Sequence, residues 1–157
     1  MRWDAHEIAR FARGAGFVGD DVTTATALAL ATSGGVASYD VHAGLPGAGH
    51  WVGLWGVNID KWPPLGNRDL HVPQWAARAA KVLHEAHDGW HWSPTYTSGQ
   101  HLAHVEHAGT ARTREYDYQA PALPFTFPHT DELLRQRHTR LANRAAQMSQ
   151  AHNLRRG

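Results

Sequence analysis

The chain has 157 residues, and its 15 lysines and arginines against 14 acidic residues leave a formal net charge of +1. That length fits one domain with its own core and an appendage. The near-neutral balance argues against general nucleic-acid binding. The chain has no cysteine, which excludes disulfides and thiolate metal sites.

The first segment predicts a short amphipathic helix. Asp4 fits an N-cap and Glu7 its capping-box partner. Gly14 and Gly16 are expected to end the helix. Its apolar face would consist of Ile8, Phe11, Ala12 and Ala15.

A second helix, rich in alanine and leucine, is the segment around which the chain is organised. We expect Asp20 or Asp21 to cap it and the helix to run from Val22 to about Ala31. Its small side chains allow packing on all sides, as in a central helix. The glycines at 34 and 35 are expected to stop it.

The middle of the chain alternates loops with apolar segments. Residues 34–50 hold five glycines and predict a loop or a short irregular β-ribbon, followed by an aromatic segment over 51–59. A third helix should begin at Pro73 and stop at Gly89. Its core stripe would be Trp75, Ala79, Val82, Leu83 and Ala86.

The C-terminal third has a different character. Residues 105–129 alternate aromatics and prolines and predict an extended arm, an edge strand at best. Residues 130–157 predict a basic helix in which Leu134, Leu141 and Met148 recur every seven positions. So narrow a stripe needs a docking surface, on its own domain or on another chain.

The order of segments over Asp4–Leu102 resembles one known family. A core helix ending in Ser33-Gly34-Gly35, then Gly53-Leu54-Trp55-Gly56-Val57-Asn58, a proline-started helix and an aromatic segment resemble the lysozyme-like superfamily, in particular the transglycosylase SLT-like domains of actinobacteria and their phages. The resemblance implies a mainly α, α+β lysozyme-like domain over 1–104, with a glycine-rich loop or short β-hairpin as one lobe of a cleft. Two residues depart from the family pattern: Thr32 replaces the catalytic glutamate, and Gly56 replaces a glutamine.

The first departure removes the family's chemistry. Glycoside cleavage needs a carboxylic acid whose pKa is raised by burial. The hydroxyl of Thr32 is far too weak an acid, and positions 29–35 contain no carboxylate. Asp40 in the glycine loop is the best substitute acid, with Asp60 as another, although both also fit ordinary loop residues.

A sugar-binding groove is the second expectation that the resemblance carries. Aromatic faces stack on pyranose rings, and amides bind their hydroxyl and N-acetyl groups. Trp55 fits the core as well as it fits a groove wall. The candidate groove residues are Trp51, Gly53, Leu54, Trp55, Asn58, Trp92 and Tyr96.

Metal and nucleophile motifs are weak. His84-Glu85-Ala86-His87 is one residue short of a zinc-binding helix motif, and three histidines recur at 101, 104 and 107. We interpret these as solvated histidines and predict no metal and no cofactor. Ser33 lacks the glycine-flanked turn of a serine hydrolase.

Together these features favour a catalytically degenerate lysozyme-like domain, a structural or peptidoglycan-binding part of a phage tail or similar injection apparatus. Its partners would be glycan strands and virion proteins, reached through the arm and the last helix. The N-terminus lacks a signal-peptide core, and no segment is apolar enough to span a membrane, which favours a virion protein that is cytoplasmic before assembly. Two alternatives stay open: an active muramidase or lytic transglycosylase that uses another acid, and an unrelated α-rich assembly protein.

Overall fold

The computed structural model describes residues 1–45, 47–114 and 130–156. Its first helix, α1 (Ala5–Gly14), begins with the predicted capping box. The backbone N–H of Glu7 donates to the Asp4 carboxylate at 2.9 Å, and the N–H of Asp4 donates to the Glu7 carboxylate at 3.1 Å. Two donors at the start of the helix are thereby satisfied, which fixes where α1 begins.

Helix α2 (Asp20–Ser33) is the buried central helix that the sequence predicts, but its start differs. The N-cap is Gly19, without a side-chain cap. The expectation that Asp20 or Asp21 caps the helix is wrong, because both lie inside its first turn. There their carboxylates interact favourably with the positive end of the helix dipole.

The glycine pair after α2 confirms the predicted stop. Gly34 adopts the left-handed conformation with φ 61°, and its N–H donates to the Leu30 carbonyl. Gly35 contacts the N-terminal segment, because its carbonyl accepts a hydrogen bond from the N–H of Trp3 at 2.8 Å. A Cβ on Gly35 would lie 2.3 Å from the Trp3 carbonyl oxygen, so this close approach requires glycine.

The glycine-rich segment forms a small antiparallel sheet of three strands. They are β1 (Asp40–His42), β2 (His50–Val52) and β3 (Val57–Asn58), in the order β1-β2-β3. In the first pairing, Val41 lies opposite Trp51 and His42 opposite His50. The molecule is therefore mainly α with a small sheet, as the resemblance implies.

Helix α3 (Pro73–Ala86) begins with the predicted proline in its first turn and buries Ala79 and Leu83 completely. Its end differs slightly from the prediction. Asp88 takes the left-handed conformation with φ 54°, and Gly89 follows with φ 139°. The N–H of Gly89 then donates to the His84 carbonyl, so an aspartate, not the glycine, occupies the first left-handed position.

The predicted arm is wrong over its first ten residues. A short helix α4 (Pro94–Thr97) and a 3-10 turn (Gln100–His104) lead into α5 (Val105–Arg114). Ala108 and Ala111 are buried, and Arg112 forms a 2.8 Å ion pair with Asp20 of α2. The helical domain therefore continues past residue 104, while arm residues 115–129 lie outside the described part of the chain.

The last helix, α6 (Thr130–Arg156), contacts the end of α3. Arg137 forms a 2.6 Å ion pair with Asp88, and Arg140 donates to the Ala86 carbonyl. The apolar stripe is only partly covered, with Leu141 at 40% and Met148 at 67% exposure. No helix among the described residues is long and apolar enough to cross a membrane.

Candidate functional site

Thr32 lies in the last turn of α2, where the resemblance places a catalytic acid. The side chain is half-buried, and its hydroxyl donates to the Thr95 hydroxyl of α4 at 2.8 Å. A hydrogen bond between two neutral hydroxyls supplies no proton that a glycosidic oxygen could take. Neither side chain of this pair carries a charge or an acidic proton.

Gly56, the second departure, lies directly against the first. It adopts φ +57°, and a Cβ there would lie 2.7 Å from the γ-methyl of Thr32. The same Cβ would lie 3.5 Å from the Tyr39 ring and 3.9 Å from the Trp51 Cβ. Thr32, Tyr39, Trp51, Gly56 and Thr95 thus form one neutral cluster, which we call the Thr32 junction.

Trp55 does not belong to an open groove. It is 1% exposed, and its indole N–H donates to the Ala25 carbonyl at 2.8 Å. Neither face of the ring is available to a sugar. Trp55 is a core side chain that fixes the β2–β3 turn against α2, so its prediction as a groove residue is wrong.

Gly53 and Leu54, predicted to line the groove through their backbone, are also buried. The N–H of Gly53 donates to the Tyr39 carbonyl at 2.9 Å, so this amide is already paired within the lobe. The Leu54 side chain is fully buried in the core. Both residues therefore belong to the packed interior of the domain.

Trp92 belongs to a different cluster. It is 6% exposed and packs edge-on against Trp62, with ring centroids 6.2 Å apart. Its prediction as a sugar-stacking residue is therefore wrong. This aromatic cluster consists of Phe17, Trp62, His84, His87, Trp90 and Trp92.

His84 of α3 and His87, which directly follows the helix, are half-buried within the aromatic cluster. The interpretation of these two histidines as solvated side chains is therefore wrong. His84 lies 4.7 Å from Trp90 and 5.4 Å from Phe17, measured between ring centroids. Burial lowers the pKa of both His84 and His87 from the ordinary value of 6.5. The lowered pKa favours the neutral form of both side chains, which suits their packing against aromatic rings.

Three predicted groove residues stay partly accessible. Trp51 lies on β2, and one side of its ring covers Gly49. The side-chain oxygen of Asn58 accepts hydrogen bonds from the N–H groups of Asp60 and Lys61 at 3.1 Å, which shapes the following turn. Tyr96 is half-buried and stacks on His101, with ring centroids 4.7 Å apart.

Sequence reasoning missed Tyr39 and Thr95. Thr95 directly precedes the predicted Tyr96, and Tyr39 is the one tyrosine in the glycine-rich segment 34–50. Both could have been noted as aromatic or hydroxyl groups near the motifs. Their contact with the end of α2, however, depends on the folded chain.

The two possible substitute acids have other partners. Asp40 on β1 lies 2.7 Å from Nε2 of His50, and that hydrogen bond lowers the pKa of the carboxyl from its ordinary value of 3.8. A general acid needs the opposite shift, so the geometry opposes this role for Asp40. Asp60 accepts a hydrogen bond from the Gly49 N–H at 3.2 Å and holds the hairpin loop.

A family model described as a lysozyme-like domain matches residues 9–95. The chain belongs to the lysozyme-like domain family. The matched range of this lysozyme-like domain runs from α1 into α4 and includes Thr32, Gly56 and Thr95. Searches of curated proteins and of solved structures found no match.

Proposed function

We propose that this lysozyme-like domain binds peptidoglycan glycan strands without cleaving them. The Thr32 junction carries the proposal: the position that the resemblance assigns to the acid holds a hydroxyl bonded to Thr95, and the neighbouring Gly56 has no room for a longer side chain. Family membership supports peptidoglycan as the ligand.

We further propose that the domain acts as a structural component of a phage tail or similar injection apparatus. Helix α6 supports this role, because Leu141 and Met148 leave apolar surface that a partner protein could cover. The remaining arm residues, 115–129, would contribute to the same assembly. The protein would then reside in the virion, and in the cytoplasm before assembly.

Muropeptide release from purified sacculi, measured by mass spectrometry, tests the absence of cleavage. The natural chain is compared with Thr32→Glu, which restores an acid, and with Thr32→Gln, which has a similar size but no acid. We expect no release from the natural chain or from Thr32→Gln. Release by the natural chain would overturn the proposal; if Asp40→Asn abolished that release, Asp40 would be the acid.

Sedimentation with the same sacculi tests binding. We expect the natural chain to bind and Trp51→Ala to weaken binding about tenfold, equivalent to about 1.4 kcal/mol. Val18→Ala is the matched control, since Val18 is 74% exposed and precedes the other end of α2, about 20 Å from Thr32. Absence of binding, or equal loss in both variants, would contradict glycan recognition at this surface.

A further inference from the structure

The β1–β2 hairpin gathers metal-ligating side chains on one face. Asp40 and His42 are two positions apart on β1 and therefore point to the same side. His50 lies directly opposite His42 in the strand register, on that same side. The ligand atoms of these three residues all lie within 4.8 Å of one another, and no other such group occurs in the described parts of the chain.

A third histidine reaches this face from the loop before α3. Nε2 of His71 lies 3.4 Å from one oxygen of Asp40, while Nε2 of His42 lies 3.4 Å from the other and Nε2 of His50 lies 2.7 Å from it. Three imidazole nitrogens therefore face one carboxylate. Asp40, His42, His50 and His71 are called the hairpin cluster below.

The orientation of His71 is an independent indication. Its Nδ1 lies 3.2 Å from the Asp69 carboxylate, which also accepts the backbone N–H of His71 at 3.0 Å. Metal-bound histidines commonly donate their other ring N–H to a carboxylate in this way. A carboxylate this close to Nδ1 favours the tautomer that carries its proton there, which leaves Nε2 on the Asp40 side available to bind a metal.

We propose that the hairpin cluster binds a divalent transition-metal ion, with zinc as the best fit. The ligands would be Nε2 of His42, His50 and His71 and one carboxylate oxygen of Asp40. Three imidazoles and a carboxylate suit zinc, and four protein ligands are typical of a structural site. The ion would join the hairpin to the loop that precedes α3.

The distances fit this geometry. Tetrahedral zinc with bonds of about 2.0–2.1 Å places its ligand atoms about 3.3 Å apart. The oxygen of Asp40 that contacts His50 is already 3.4 Å from Nε2 of His42. Nε2 of His71 lies 3.4 Å from the other oxygen, so the His71 ring must shift toward the first oxygen if Asp40 binds the ion through that atom alone. The 2.7 Å contact with His50 is a hydrogen bond whose proton the ion would replace, so it must lengthen by about 0.6 Å. His42 is 68% exposed, which gives the ion an entry path.

Zinc titration of the chelator-treated full chain, followed by calorimetry, tests the site. We expect one saturable ion per chain. His42→Ala and His50→Ala should each weaken binding at least about tenfold, and Asp69→Asn about 10- to 100-fold by releasing the His71 ring. His91→Ala and His107→Ala are controls, because a chain with thirteen histidines can bind zinc adventitiously.

The outcomes separate clearly. Loss of affinity in the hairpin variants with unchanged affinity in both controls supports the site. No saturable binding, or equal weakening in hairpin and control variants, overturns it and leaves the hairpin cluster as hydrogen-bonded side chains. Because the readout is zinc affinity alone, the result is independent of whether the domain binds peptidoglycan.

Discussion

The hairpin cluster and the aromatic cluster use histidine in opposite ways. In the hairpin cluster, imidazole nitrogens face the partly exposed carboxylate of Asp40. In the aromatic cluster, the rings of His84 and His87 pack against tryptophans, and Nδ1 of His87 lies 3.0 Å from the Leu83 carbonyl. What surrounds a histidine in the fold, more than its spacing along the chain, decides whether it can bind a ligand or only fill space.

Removal of a ring from the aromatic cluster should have the largest effect on stability. Trp90 is 5% exposed, stacks on Phe17 at 4.9 Å and donates its indole N–H to Asp21. Trp90→Ala is expected to lower the free energy of unfolding by about 3–5 kcal/mol, as for other buried large-to-small changes. Chemical denaturation measures this loss.

The matched control is Trp51→Ala, which removes the same side chain from a half-buried position. It should cost clearly less than Trp90→Ala, because less apolar area leaves the core. Equal costs would mean that the two regions do not differ in packing as the structure indicates.

The contact between Thr32 and Gly56 in the Thr32 junction tests how tightly this uncharged region is packed. Gly56→Ala should cost about 1–2 kcal/mol for its left-handed backbone and about 1–3 kcal/mol more for the clash with the Thr32 methyl. Thr32→Ser removes that methyl and keeps the hydroxyl. In a double-mutant cycle, the variant that carries both Gly56→Ala and Thr32→Ser should therefore lose less unfolding free energy than the sum of the two single variants.

Gly44→Ala separates the two contributions to that cost. Gly44 has φ +87°, and a Cβ added there would meet no heavy atom within 4 Å, so alanine at this position incurs the backbone cost alone. Thermal unfolding of all four variants gives the comparison. If Gly44→Ala costs as much as Gly56→Ala, or the cycle shows additivity, Thr32 and Gly56 are not coupled.

The effect of zinc on stability should distinguish the hairpin cluster, which we expect to bind the ion, from the aromatic cluster, which we do not. At a free zinc concentration 100 times the Kd, a site in the hairpin cluster stabilises the folded chain by about 2.7 kcal/mol. His42→Ala, with binding weakened at least about tenfold, should reduce this gain to about 1.4 kcal/mol or less. It should change the metal-free stability little, because His42 is 68% exposed. Thermal unfolding with zinc and with chelator measures both quantities; Trp90→Ala should keep the zinc response despite its lower stability.

Local features of this fold could be predicted from the sequence, and contacts between distant segments could not. The capping box at Asp4 and the start of α3 at Pro73 depend on neighbouring residues alone. Helix α5 was missed because it packs through the small residues Ala108 and Ala111, which produce no strong apolar period.

The site was harder to predict because it too depends on contacts between segments that are distant in the sequence. Tryptophan is amphipathic and suits either a core or a groove, and only the folded chain shows that Trp55 lies beneath α2. The hairpin cluster depends on the pairing of β1 with β2 and on His71, which is 29 residues after His42 in the sequence. No spacing rule along a helix or a strand joins those residues.

The smallest expected effect is a change in how stability depends on pH. Burial lowers the pKa of His84 in the folded chain below the ordinary 6.5, partly offset by Asp21 and Glu85 and reinforced by Lys81. The unfolded chain therefore takes up a proton at a higher pH than the folded chain does. The stability that this neutral histidine confers is present above pH 6.5 and declines as the pH falls through the lowered pKa.

His84→Gln should therefore flatten the decline in unfolding free energy as the pH falls below about 6.5. It should not abolish the decline, because His87 shows the same shift from the same cause. His107→Gln, which removes a histidine from an exposed position on α5, is the matched control. Denaturation at several pH values measures the slopes. An unchanged slope in His84→Gln would mean that His84 is protonated as readily in the folded chain as in the unfolded one, which would place it with the solvated histidines after all.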